Sequence, residues 1–126
     1  MSDIAQSPSS GRNLIEAYGD GGFTIAGNKI IGSLLVFPSS ISAWTVQRPE
    51  DITLDSLAEV FGQDPAVELL LVGCGLEQTP PPADLRHALS AAGLVADFMN
   101  TGAACRTFNV LLAEDRRVAA ALIAVP

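Results

Sequence analysis

Two apolar runs, each cut short by small and polar residues, constrain this chain most. Val67 to Val72 runs into Gly73-Cys74-Gly75, and Leu94 to Met99 runs into Asn100-Thr101-Gly102. Both read as strands of a parallel sheet, and the first does not alternate, as expected where both faces are buried. Between them a stiff Thr79-Pro80-Pro81-Pro82 linker leads into a helix that starts near Pro82 and stops at Gly93. Leu85 and Leu89 lie on one face of that helix. A strand–helix–strand unit of this kind makes a right-handed crossover with its strands parallel. Ligands of open α/β sheets bind in the crevice outside the carboxyl ends of such strands. The sequence therefore places a candidate site where Gly73–Gly75 and Asn100–Gly102 leave the same sheet edge.

The first third reads differently. Leu14 to Tyr18, Phe23 to Ala26, Lys29 to Ile31 and Ser33 to Phe37 are short strands separated by glycine-containing turns at Gly19–Gly22 and Gly27-Asn28. This part is antiparallel β. Ile41 to Val46 adds one more strand candidate, with Trp44 on its buried face. Thr53 is placed to cap a short helix whose stripe is Leu57, Val60 and Phe61, ended by Gly62. Beyond Gly102 two patterns compete. Thr107–Leu112 and Arg117–Val125 fit a hairpin, whereas Thr101–Glu114 fits a helix with a stripe of Ala104, Phe108, Leu111 and Leu112.

Composition sets the partners. The chain has 126 residues and a formal charge of -7, and 48% of it is hydrophobic. That length fits one domain (residues 13–126) behind a Ser/Gly-rich tail (residues 1–12). The charge repels phosphate, so nucleic acid is not an expected partner. No apolar run approaches the ~20 residues of a membrane span, so no integral membrane segment is expected. With no apolar leader, the expected compartment is the cytoplasm, with Cys74 and Cys105 as reduced thiols. Cofactor and metal motifs are missing. The third glycine of a dinucleotide fingerprint would fall at Gln78, and two cysteines plus His87 do not complete a zinc site.

Several pieces in order carry a resemblance: Tyr18-Gly19 with Gly21-Gly22-Phe23, Gly32-Ser33-Leu34-Leu35, Trp44, Gly73-Cys74-Gly75, Leu85-Arg86 and Ala103-Ala104-Cys105-Arg106-Thr107-Phe108-Asn109. Together they resemble the small α/β domain family of unassigned function that includes mitochondrial complex I assembly factor three. The resemblance implies a three-layer α/β domain with a mixed central sheet, helices on its faces, and a helix over Thr101–Glu114. Cys74 stands where the family commonly has threonine, and Phe108 where tyrosine is common. Both departures weaken any scheme that needs a hydroxyl at those places.

With that helix in place, Asn100 or Thr101 caps it, and its first N–H groups form a weak anion site. Arg106 and Asn109 share a face, and helical side chains lean toward the N-terminus. The candidate ligand- or partner-binding residues are Gly73, Cys74, Gly75, Asn100, Thr101, Gly102, Cys105, Arg106 and Asn109. Each also has a structural reading. The glycines permit a turn, Arg106 pairs with Glu77 or Asp97, Asn109 ties down a loop, and the cysteines are buried thiols. The leading expectation is a non-enzymatic, assembly-factor-like protein that binds a protein partner and has no catalytic residues or cofactor. The alternative is a binder of a small anion or carboxylate, or an enzyme, using this crevice.

Overall fold

The computed structural model describes residues 12–77 and 81–126. The expected tail up to residue 11 and residues 78–80 of the proline linker lie outside the described residues. Arg12, expected within that tail, is held in the fold: it ion-pairs with Asp115 at 2.6 Å and donates to the Leu112 carbonyl.

The antiparallel N-terminal part is a three-stranded sheet of β1 (Ile15–Gly19), β2 (Gly22–Ile25) and β3 (Asn28–Ile31). Its first turn needs glycine, since Gly19 and Gly21 have φ of +123° and +80°. Gly22 is required for a different reason: a Cβ there would overlap the Ile30 carbonyl across the sheet. The central sheet adds β4 (Leu34–Val36), β5 (Ile41–Ala43), β6 (Leu69–Gly73), β7 (Val95–Met99) and β8 (Val118–Leu122), in the order β5-β4-β8-β6-β7. β4 is antiparallel to β5 and β8, while β8, β6 and β7 are parallel. The sheet is therefore mixed.

Side chains alternate across this sheet and divide the core in two. Leu35, Leu70, Val72, Ala119 and Ala121 face one layer, closed by Trp44, Leu57, Val60 and the helix α2 (Ala83–Ala91) through Leu85 and Leu89. Leu34, Val36, Leu71, Ala120 and Leu122 face the other, closed by α3 (Thr101–Ala113) and by Phe23 and Ile25 of the small sheet. Burying a side chain such as Phe108 contributes ~1.5–3 kcal/mol. At the middle of β8, Ala119-Ala120-Ala121 are almost wholly inaccessible. Their small size lets both outer layers come close to the sheet.

The last competing segment is helix then strand, as the resemblance implies. Two other expectations change. β5 stops at Ala43, and Trp44 is buried just beyond it, its indole N–H donating to the Ser56 carbonyl at 2.8 Å. Phe61, expected in the buried stripe, is 42% exposed. Thr53 and Ser56 do bond each other's backbone N–H. They open a 3-10 turn at Asp55–Leu57, however, and the α-helix α1 is only Ala58–Phe61. The tighter turn rotates the stripe, so Leu57 and Val60 go inside and Phe61 does not.

Candidate functional site

The parallel pair β6–β7 brings Gly73 and Met99 into register, so the loops after them are neighbours. Thr101 is the knot between them. Fully buried, it donates its hydroxyl to the Ile123 carbonyl at 2.7 Å and accepts from the Gly75 N–H at 3.0 Å. Its own N–H donates to the Gly75 carbonyl at 2.8 Å. Gly73 must be small here, because a Cβ would lie 2.9 Å from the Thr101 Cα. Gly75 has φ +102°, the left-handed turn that returns the chain toward α3. Cys74 is buried between them, and its N–H donates to the Met99 carbonyl.

The start of α3 is largely satisfied from inside. Asn100 is the cap, its side-chain oxygen accepting from the Ala103 N–H at 2.8 Å while its carbonyl accepts from Ala104. Together with the Thr101 bond, this satisfies most of the first-turn donors, and Gly102 itself is buried. Over Gly102 lies Tyr18, at the end of β1. A methyl group added to Gly102 would overlap the Tyr18 hydroxyl.

Arg106 reaches back along the helix, and its Nη1 lies 3.4 Å from the Tyr18 hydroxyl. It is exposed, and neither Glu77 nor Asp97 nor another carboxylate of the described residues is within ion-pair distance. Asn109, on the same face, makes two hydrogen bonds to one residue of β1. Its oxygen accepts from the Ile15 N–H at 2.8 Å and its amide donates to the Ile15 carbonyl at 2.9 Å. The side chain thus stands in for a neighbouring strand along the free edge of β1. Cys105 points into the core, and burial pushes its thiol up to about 12 from the usual 9.0, against a small opposing effect of Arg106. A thiol held neutral in this way is a poor nucleophile at neutral pH. His87 is exposed on α2.

Tyr18 is the residue that sequence reasoning missed at this site. The sequence marks it only as the end of the first strand and as a piece of the resemblance. The available signal was a tyrosine at a strand end together with a glycine in the first turn of a helix, the pair that lets an aromatic ring lie on a helix backbone. Tyr18 (44% exposed) and Val110 (57%), the latter one turn along α3 from Arg106, add exposed apolar surface, and Leu76 (71%), in the loop after Gly75, is also exposed.

The family model described as a protein of unknown function, DUF498/DUF598, matches residues 15–123. The chain belongs to that family. Within the DUF498/DUF598 family, it is 35% identical over 98% of its length to a Danio rerio protein named NADH dehydrogenase [ubiquinone] 1 alpha subcomplex assembly factor 3, covering 71% of that protein. The Xenopus tropicalis protein of the same name is 38% identical over 87% of this chain, which covers 60% of that relative. Among solved structures, Rpa2829 from Rhodopseudomonas palustris is 46% identical with a TM-score of 0.79, the alignment covering 99% of this chain and 91% of that one. No helix among the described residues is long and apolar enough to cross a membrane.

Proposed function

We propose that this chain is a non-catalytic accessory protein that binds a protein partner during assembly of a multi-subunit complex. The observation that carries the reading is its similarity, over nearly its whole length, to relatives named as assembly factors of NADH dehydrogenase. The site chemistry supports it. Most polar groups at the sheet end are bonded to one another, the nearby thiol is buried and neutral, and the accessible groups are an aromatic ring, aliphatic side chains and one guanidinium. Tyrosine and arginine beside apolar surface are the residue types that anchor protein interfaces. In this reading Tyr18, Leu76, Arg106 and Val110 make the contact, while Gly73, Cys74, Gly75, Asn100, Thr101, Gly102, Cys105 and Asn109 shape the surface from beneath.

The test is quantitative affinity capture from the native cell with the wild type and with Arg106→Glu. One partner enriched by the wild type and lost by the variant is expected. The exposed substitution should leave stability within ~0.5 kcal/mol. Equal recovery of every protein by both forms would refute the role of this surface.

A second reading has one observation in its favour. Arg106 lacks a carboxylate partner among the described residues and lies beside the Tyr18 hydroxyl. A small carboxylate or phosphate suits those two groups. Sulfate that raises the melting temperature of the wild type but not of Arg106→Ala would favour this reading.

A further inference from the structure

A cleft of about 390 Å³ lies at the end of the sheet opposite to Thr101, where β6 and β8 begin. Phe37, Val67 and Val118 give it an apolar floor, Phe37 and Val118 being buried. The loops around it are held in place. The Asn13 amide donates to the Phe37 and Ser40 carbonyls at 2.8 and 3.0 Å, and the Phe37 N–H donates to the Ser40 carbonyl at 2.8 Å. Likewise the Glu68 N–H donates to the Arg117 carbonyl at 2.8 Å. A concave space with an apolar floor, fixed loops and a few charged groups is the form of a small-molecule site.

Charge selects the ligand. Arg12, Arg116 and Arg117 line the cleft, in a chain of net charge -7 with only 7 Lys and Arg residues. Their donors are not used up among the described residues. Arg12 donates from Nη1 to Asp115 and from Nη2 to the Leu112 carbonyl, and its buried Nε has no acceptor. Arg116 makes one side-chain bond, from Nε to Glu68 at 3.5 Å. The Arg117 guanidinium makes no hydrogen bond among the described residues and stands 3.8 Å from the same Glu68 carboxylate. One carboxylate therefore serves two guanidiniums, and the Arg117 fork keeps its N–H groups for another. Asp115 and Asp64 also line the cleft, Asp64 without an ion pair among the described residues. With Glu68 nearby, these carboxylates disfavour a dianionic phosphate and suit a single negative charge. A guanidinium fork matches a carboxylate in two parallel N–H···O bonds.

We propose that this cleft binds a small organic monocarboxylate, its carboxylate on the Arg117 guanidinium and its apolar body on Phe37, Val67 and Val118. This site is separate from the Tyr18 surface and does not depend on it.

The test titrates the isotope-labelled full chain with hexanoate, isocaproate and hydrocinnamate and follows backbone amide shifts. Saturable shifts concentrated at residues 37–40, 63–67 and 115–118 are expected for at least one of the three. The neutral primary amide of that acid should bind about tenfold more weakly or not at all. Phenyl phosphate should bind more weakly than the carboxylate. Arg117→Ala should weaken binding by about tenfold or more, and Arg117→Glu should abolish it. Both replace an exposed side chain, so the ligand-free spectrum should remain that of the folded wild type. Arg48→Ala, which removes an exposed arginine outside the cleft, should bind as wild type. No saturable shift with any of the three acids, tighter binding of phenyl phosphate, or indifference to Arg117→Ala would overturn the proposal. So would loss of binding in Arg106→Ala with shifts at the start of α3, which would place the anion at the Tyr18 surface.

Discussion

α3 and α2 flank the same sheet on opposite sides and use their residues in opposite ways. α3 is 13 residues long, buries six of them and begins at a side-chain cap. α2 has nine residues, buries Leu85 and Leu89, and begins at Pro82 with no side-chain cap. Polar groups at the start of α3 are turned inward, to the loops after β6 and β8 and to β1. Those of α2 face solvent. The start of α3 is therefore committed to holding three segments together, whereas α2 contributes little beyond its two buried leucines.

The largest test of this contrast is Thr101→Val. The shape is kept, but the Gly75 N–H and Ile123 carbonyl lose their partner. Each orphaned group should cost on the order of 1–3 kcal/mol in denaturant unfolding. The counterpart on α2, Ser90→Ala, should stay within ~0.5 kcal/mol. Equal losses would erase the distinction.

Asn109→Leu is the next step down. Removing two hydrogen bonds to Ile15 should cost about 1–3 kcal/mol in total. Amide exchange should accelerate in β1 more than in β6. Uniform acceleration would mean that β1 is not held separately through α3.

The smallest effect lies at the opposite end of the same strands. The Arg117 backbone N–H, helped by the Arg116 side chain, holds the Glu68 carboxyl below the usual carboxylate range despite some desolvation. A lowered folded value contributes stability above the unfolded pKa, and that contribution is lost as pH falls through the folded one. Glu68→Gln should therefore lower the melting temperature slightly at neutral pH, and the difference should vanish in acid. A difference that persists in acid would assign the effect to packing.

Local pattern revealed part of this molecule. The apolar run of β6, the helix-then-strand that follows it and the glycine turns of the small sheet are written in neighbouring residues. Adjacency of Gly73–Gly75 and Asn100–Gly102 follows from the strand–helix–strand unit alone. What joins Asn109 to Ile15 does not, since those residues are 94 positions apart and neither has a local pattern that names the other. Tyr18 over Gly102 escaped for the same reason. Phe61 was misplaced because spacing reports a helical period but not the 3-10 turn that resets its phase.

The position of β8 has a consequence in time. In the sheet order β5-β4-β8-β6-β7 it is the only link between β4 and β6, yet it is the last of these strands along the chain. As synthesis proceeds from the N-terminus, the hairpin β4–β5 and the β6–α2–β7 unit are both made before the strand that must lie between them. Until it arrives, one long edge of each half is open, and long-range pairing of this kind is slow and exposed to wrong partners. The three alanines of β8, almost wholly inaccessible in the finished sheet, are small enough for this late strand to fit between its neighbours without displacing either outer layer.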